Sequence, residues 1–223
     1  MTRVSKSNKS LVRRNGRRPA LPISTSGRNP IDRLGIETLF SRNEKIFRKG
    51  QSARHIYKVM FGCVRTFIKL SNGRRLINSF YFPSDYFGLE MHEKHNLSAE
   101  AATPSMVLVI GKKELTSRAA IDIAVSKYML NITNVELQRA QNRSLLLRNS
   151  IDDRVANFLF EIKKRNQRKK DVDVLMSRQD IADHLNVTIE TVSRALTRLE
   201  NKSAISFRTH RRIVLRFRKP LGA

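Results

Sequence analysis

The chain has 223 residues, 40% of them hydrophobic and 28% charged, a balance that suits one large or two small globular domains and excludes wholesale disorder and a multi-span membrane protein. Forty-four Lys and Arg stand against 19 Asp and Glu, a formal net charge of +25, so polyanions are drawn from solution and nucleic acid is the expected partner. The single cysteine, Cys63, excludes an intramolecular disulfide, a four-thiolate iron–sulfur site and a structural zinc cluster. That cysteine usage points to the cytoplasm, and without an apolar run of about 18 residues or a secretory signal, neither a membrane span nor export is expected.

Residues 1–30 carry eight basic residues, no acidic one, three prolines and no apolar periodicity. They predict a flexible basic tail, either a solvated extension or a phosphate contact, with a faint likeness to an organelle transit peptide. Removing those eight charges leaves +17 of the +25, so the basicity belongs to the folded part as well. Over 31–117, short β-rich runs at 45–47, 55–61, 64–70, 76–82 and 106–110 alternate with turn residues, which predicts an antiparallel roll or barrel. Alternation in Ile56, Lys58, Met60 and in Val64, Thr66, Ile68, Leu70 predicts strands with one buried face. Asn72-Gly73 between two apolar runs predicts a hairpin turn with positive φ at both central positions.

Residues 119–147 contain neither Gly nor Pro and predict one long helix within a segment spanning 118–148. Leu130, Leu137, Ala140, Ser144 and Leu147 fall at spacings of 7, 3, 4 and 3, the seam by which a second helix packs alongside, with packing inside the same chain as the alternative. Val125, Tyr128, Ile132 and Val135 mark a second apolar face suited to the chain's own barrel. Ser150 can accept the backbone N–H of Asp153 and start another helix, with Val155, Phe158, Leu159 and Ile162 as its buried stripe. Lys163, Lys164, Arg165, Arg168, Lys169 and Lys170 follow, a solvated loop or a binding surface, before a short strand over 172–176.

Two capped helices are written into residues 176–199. Ser177 caps the first, Thr188 the second, and Asn186 suits the left-handed position between them. Ile181, Ala182 and Leu185 point inward from one helix, and Val192, Ala195, Leu196 and Leu199 from the other, so the unit is a helix-turn-helix. The outer face of the second helix presents Glu190, Ser193, Arg194 and Thr197. Arg194 can bond guanine O6 and N7 together, Glu190 can accept from the cytosine amino group, and Ser193 can donate to a base. Apolar runs then flank Arg208-Thr209-His210-Arg211-Arg212, a basic hairpin, or wing, suited to phosphates. Ser177, Thr188, Thr191, Thr197, Arg198, Arg208, Arg211 and Arg212 are the candidate contacts to the DNA backbone.

This order of roll, long helix and winged helix-turn-helix resembles the CRP/FNR superfamily of bacterial transcription regulators. Glu190-Thr191-Val192-Ser193-Arg194 is similar to the E-x-x-S-R signature of its FNR and FixK branch, as are Ser177-Arg178-Gln179-Asp180-Ile181-Ala182 and the segments Gly62-Cys63-Val64-Arg65 and Phe87-Gly88-Leu89-Glu90. The resemblance implies an α+β protein: an N-terminal roll like that of cyclic-nucleotide-binding domains, a long dimerisation helix, and a DNA-binding domain over 149–223. It further implies a homodimer that reads inverted TTGAT-like half-sites through Glu190, Ser193 and Arg194, touches RNA polymerase, and serves low-oxygen or nitrogen-fixation genes, as an activator. Cyclic-nucleotide binders follow a Gly-Glu pair with Arg-Ser/Thr, the Arg pairing with the phosphate; here Leu97-Ser98 stands instead, so no cyclic-nucleotide response is expected. Ser203 stands at a turn where the family usually has Gly.

Other chemistry is thin. The stretch Glu90-Met91-His92-Glu93-Lys94-His95 is the nearest thing to a metal cluster, two His on one face of a turn with a carboxylate, but it falls in an expected exposed loop with Lys94, and no metal or other cofactor is predicted. Cys63, between a turn glycine and an apolar strand, reads as a buried inert thiol. Nucleophile elbows, phosphate loops and kinase signatures are missing, so no enzyme is expected. Two rivals remain: a regulator whose roll binds a small effector, and a basic protein binding DNA or RNA without sequence preference.

Overall fold

The computed structural model describes residues 29–90, 92–146, 149–165 and 171–217, with residues 142–146 described by their backbone. The expected basic tail therefore lies, up to residue 28, outside the described residues, as do Arg168, Lys169 and Lys170 of the basic run. Eight strands lie in the first half: β1 (Gly35–Phe40), β2 (Lys45–Phe47), β3 (His55–Phe61), β4 (Val64–Lys69), β5 (Arg75–Tyr81), β6 (Tyr86–Phe87), β7 (Ser98–Ala101) and β8 (Ser105–Gly111). They form two antiparallel sheets in the orders β1-β8-β3-β6 and β2-β7-β4-β5. Phe47, Tyr57, Val59, Val64, Tyr81, Phe87, Ala99 and Val107 fill the space between them, which makes the roll.

Each of the five anticipated β runs is a strand, while β1, β6 and β7 escape a pattern search. β7 is Ser-Ala-Glu-Ala, weak in β-propensity, and it is a strand because β2 and β4 pair with it on either side. One-sided burial fails as an expectation: Ile56 to Val59 of β3 and Val64 to Phe67 of β4 are buried on both faces. Helices and turns cover the outer faces, and the charged residues there, Lys58 and Arg65, are paired inside. Lys58 Nζ lies 2.6 Å from Asp32 Oδ2, whose other oxygen accepts the Tyr86 hydroxyl at 3.0 Å.

The Asn72-Gly73 hairpin forms with a different turn. Leu70 O accepts Gly73 N–H at 3.0 Å and Leu70 N–H donates to Arg74 O at 2.8 Å, while positive φ occurs at Gly73 (78°) and not at Asn72. A three-residue loop ending in a left-handed glycine replaces the two-residue turn, because Asn72 stays out of the positive-φ region and uses Oδ1 to accept Arg74 N–H.

The single long helix is two helices, α1 (Lys112–Ile121) and α2 (Ile123–Leu146). Asp122 leaves the helical conformation (φ −125°, ψ 103°), and its Oδ1 accepts Ala124 N–H at 3.0 Å, so a capping carboxylate both ends one helix and starts the next. Val125 and Ile132 are buried against the roll beside Ile56, Leu108 and Ile110, with Tyr128 packed on them. Val135, expected on that face, is instead 43% exposed, although the roll continues past it, with the Tyr81 hydroxyl donating to Glu136 Oε1 at 2.9 Å.

The last third is α3 (Ile151–Arg165), β9 (Asp171–Asp173), α4 (Arg178–Leu185), α5 (Ile189–Asn201), β10 (Ile205–Thr209) and β11 (Arg212–Leu215), with the strands ordered β10-β11-β9. Ser150 Oγ accepts Asp153 N–H at 3.2 Å at the start of α3, and Val155, Phe158, Leu159 and Ile162 are its buried stripe. These residues share one continuous apolar cluster with Phe67, Ile77 and Phe80 of the roll, so the last third is docked on the first.

Candidate nucleic-acid interface

The helix pair is built by its own caps. Ser177 Oγ accepts Asp180 N–H at 3.1 Å and Asp180 Oδ2 accepts Ser177 N–H at 3.1 Å, a reciprocal box that starts α4. Asn186, at φ 53°, closes α4 as Val187 N–H reaches back to Ala182 O at 3.0 Å. Thr188 Oγ1 then accepts Thr191 N–H at 3.2 Å and starts α5. Val192, Ala195, Leu196 and Leu199 are buried; each large aliphatic among them contributes about 1.5–3 kcal/mol relative to exposure, which fixes the helix's rotation.

That rotation turns Glu190, Arg194 and Thr197 outward into solvent, with Ser193 half-buried beside them. The Glu190 carboxyl is held below the usual carboxylate range by its own backbone N–H, the Thr188 hydroxyl and the charge of Arg194. It is therefore an ionised acceptor at neutral pH. An open cleft of about 730 Å³ separates α5 from the hairpin of β10 and β11, lined by Ser193, Thr197, Arg208 and His210. Arg178 of α4 reaches across it, its guanidinium 5.7 Å from the Phe207 ring centre.

The expected backbone contacts divide into three kinds. Ser177 and Thr188 spend an oxygen lone pair on their caps and keep the hydroxyl proton to donate; Thr191 shares its hydroxyl with Thr188 at 3.1 Å. Arg211 is exposed at the hairpin tip. The others are engaged within the fold: Thr197 Oγ1 donates to Ser193 O at 3.2 Å, Arg198 grips Asp152 with Nε and Nη2 (3.1 and 2.6 Å), Arg208 lies 3.3 Å from Asp171, and Arg212 Nε lies 3.0 Å from Asp173. Arg198 in particular braces α5 against the first turn of α3 and is a structural clamp rather than a free cation.

Along α2, Leu130 and Leu137 are 62% and 56% exposed, and Ala140 is exposed with them. Ile123, 72% exposed and seven residues before Leu130, extends the same stripe beyond the residues picked out by the sequence pattern. Of the other seam candidates, Ser144 is described by its backbone and Leu147 lies outside the described residues.

Sequence reasoning missed the charged cluster that joins roll to helix pair. Arg65 of β4, 4% exposed, bonds Glu100 Oε1 through Nε (2.9 Å) and Nη2 (2.7 Å), Asp180 Oδ1 through Nη1 (2.8 Å) and Asn43 Oδ1 through Nη2 (2.8 Å). Arg75 of β5 adds Asp180 (2.6 Å) and Asp183 (3.0 Å), and Lys45 adds Glu100 (2.8 Å). Asp180 thus caps α4 and receives two roll arginines at once. An arginine on the non-core side of an apolar strand was the available signal, but its partner lies 115 residues away.

Cys63 is fully buried and burial pushes its thiol up to about 12, as expected of an inert thiol. The His92–His95 stretch departs from the exposed-loop expectation: His95 is buried, bonded to Glu90 and stacked on Phe47 at 3.6 Å between ring centres, while His92 faces solvent. Among the described residues no group of three potential ligands could hold a metal, and no helix is long and apolar enough to cross a membrane.

Comparison with known proteins adds independent findings. A family model described as the Crp-like helix-turn-helix domain matches residues 153–222, and one described as the cyclic nucleotide-binding domain matches residues 37–121. The chain is 40% identical over 194 residues to the nitrogen fixation regulation protein FixK of Azorhizobium caulinodans, covering 84% of this chain and 78% of that protein. It is 32% identical to the FixK of Rhizobium meliloti, covering 87% and 89%. The solved structure of FixK2 from Bradyrhizobium japonicum superposes with a TM-score of 0.78 at 38% identity, over 82% of this chain and 93% of that one.

Proposed function

This chain belongs to the CRP/FNR family of transcription regulators, on its FixK-like branch, and from that membership and the geometry of α4 and α5 we propose how it reads its sites. It binds as a homodimer to inverted TTGAT-like half-sites, one α5 in each major groove. Glu190, Ser193 and Arg194 touch base edges; Ser177, Thr188, Thr191 and Arg211 hold phosphates. The stripe Ile123, Leu130, Leu137 and Ala140 is the seam with the second copy. In the cytoplasm, bound upstream of genes for nitrogen fixation or low-oxygen growth, it activates by touching RNA polymerase.

The observation that carries this is the ionised acceptor Glu190 and the exposed guanidinium of Arg194 one helical turn apart on the outer face of a capped helix. Arg194→Ala should cost about 1–3 kcal/mol on a palindromic TTGAT duplex at fixed salt and relax preference at the contacted base pair, read by fluorescence anisotropy. Equal binding of the unaltered protein to a scrambled duplex sinks the reading and favours a nonspecific basic protein.

A second reading, control by a small effector, has one observation in its favour: a cavity of about 320 Å³ where the roll, α2, α3 and α4 meet, walled by Phe80, Phe82, Phe158 and Ile162 and edged by Arg139 and Arg165. Inside the roll itself Phe47 stacks on His95 and Tyr57 on Phe87, so aromatic rings pack its interior. A rise in thermal midpoint with cyclic AMP or cyclic GMP would favour the effector reading over the one proposed.

A further inference from the structure

We infer that the hairpin between β4 and β5 is a further DNA-contacting element, with Arg74 placed to meet a backbone phosphate beside the bases that α5 reads. The inference rests on the recognition reading above and extends the interface from the last third of the chain onto the roll. Its starting point is a cleft of about 400 Å³ in which Arg74 and Arg75 of the roll face Gln179 and Asp183 of α4 and Thr188 and Glu190 at the start of α5.

The hairpin is pinned there. Arg75 Nε lies 3.0 Å from Asp183 Oδ2 and its Nη2 lies 2.6 Å from Asp180 Oδ1, so the backbone one residue away is tied to α4 by half-buried charge-assisted bonds. Arg74 itself is exposed, and neither carboxylate of the cleft is committed to it. Asp183 already receives Arg75 and the Gln179 side-chain N–H at 2.8 Å. Glu190 is stabilised by its own backbone N–H, Thr188 and Arg194. Among the described residues Arg74 has no ion pair or side-chain hydrogen bond, so a guanidinium is held, uncommitted, next to the cap where α5 begins. A duplex lying along α5 brings its phosphate chain past that cap, because the helix enters the groove by its first turns. The partner is then the polyanionic backbone, recognised by charge and blind to sequence.

The test is the salt dependence of binding by the full chain to TTGAT palindromes and scrambled duplexes. Each lost phosphate contact lowers the slope of log K against log salt by about 0.9, so Arg74→Ala in a dimer should lower it by about 2 on the palindrome. Arg74→Lys should keep the slope, and the urea midpoint of both variants should match the parent, since the side chain is exposed. An unchanged slope for Arg74→Ala, with Arg194→Ala still relaxing sequence preference, overturns this inference and leaves the recognition reading intact. A parent protein indifferent to the palindrome overturns the recognition reading and, with it, the placement of Arg74 beside read bases.

Discussion

Ser203 shows what a single residue out of place does here. Ala204 N–H donates to Leu199 O at 2.9 Å and Ser203 N–H to Glu200 O at 2.8 Å, the paired bonds of a helix end that requires a left-handed residue, and Ser203 supplies it at φ 54°. A serine Cβ is strained there by about 1–2 kcal/mol, where glycine is not. Ser203→Gly should therefore raise unfolding free energy by about 0.5–1 kcal/mol, after the added chain entropy of glycine offsets part of the relief. A urea midpoint at or below that of the parent would contradict this. The proposed recognition residues should behave oppositely: Arg194 and Glu190 are exposed, so changing them is expected to alter binding and leave stability nearly untouched.

Among the elements, α2 has the clearest unmet need. It buries Val125 and Ile132 on the roll yet leaves Ile123, Leu130 and Leu137 bare at heptad spacing, the stripe we propose as the seam with a second copy of the same helix. Leu130→Glu with Leu137→Glu should give a folded monomer by sedimentation, because both side chains are exposed in the single chain, and affinity for the palindrome should fall at least tenfold as one half-site contact is lost. A dimer that survives both charges would place the seam elsewhere. The break at Asp122 sets where this stripe begins, since its carboxylate caps α2 immediately before Ile123.

Two ionic clusters hold the assembled chain together. Glu100 and Asp180 gather Arg65, Arg75 and Lys45, while Asp85 bonds Arg139 of α2 and lies 3.3 Å from Arg165 of α3. Burial alone would raise the Glu100 carboxyl, but hydrogen bonds from Lys45 and Arg65 and their charges outweigh it and the group is held below its usual 4.5. A depressed folded value means the stabilisation is present above about 4.5 and is lost as pH falls through the folded value. Urea midpoints measured at intervals from pH 7 down to 3 should hold until about 4.5 and then drop. A midpoint that fails to drop in this window would show that Glu100 contributes no such term.

The helix pair was legible because its signals are local: Ser177, Asn186 and Thr188 act on backbone groups within four residues, and apolar spacing aims α5. The same holds for the five β runs and for Cys63 between Gly62 and the β4 strand. What could not be read is non-local. β7 has no strand signal of its own, the His95 ring is buried by Phe47 from a strand 48 positions earlier, and Arg65 looks like a solvent-side residue until α4 covers it. Sequence alone was enough to decide which residues face outward on α5, since helical periodicity and caps operate over a few residues. Only the folded chain decided which cations are free, because ion pairs such as Arg198–Asp152 and Arg75–Asp183 join positions far apart along the chain, and charge is satisfied through space.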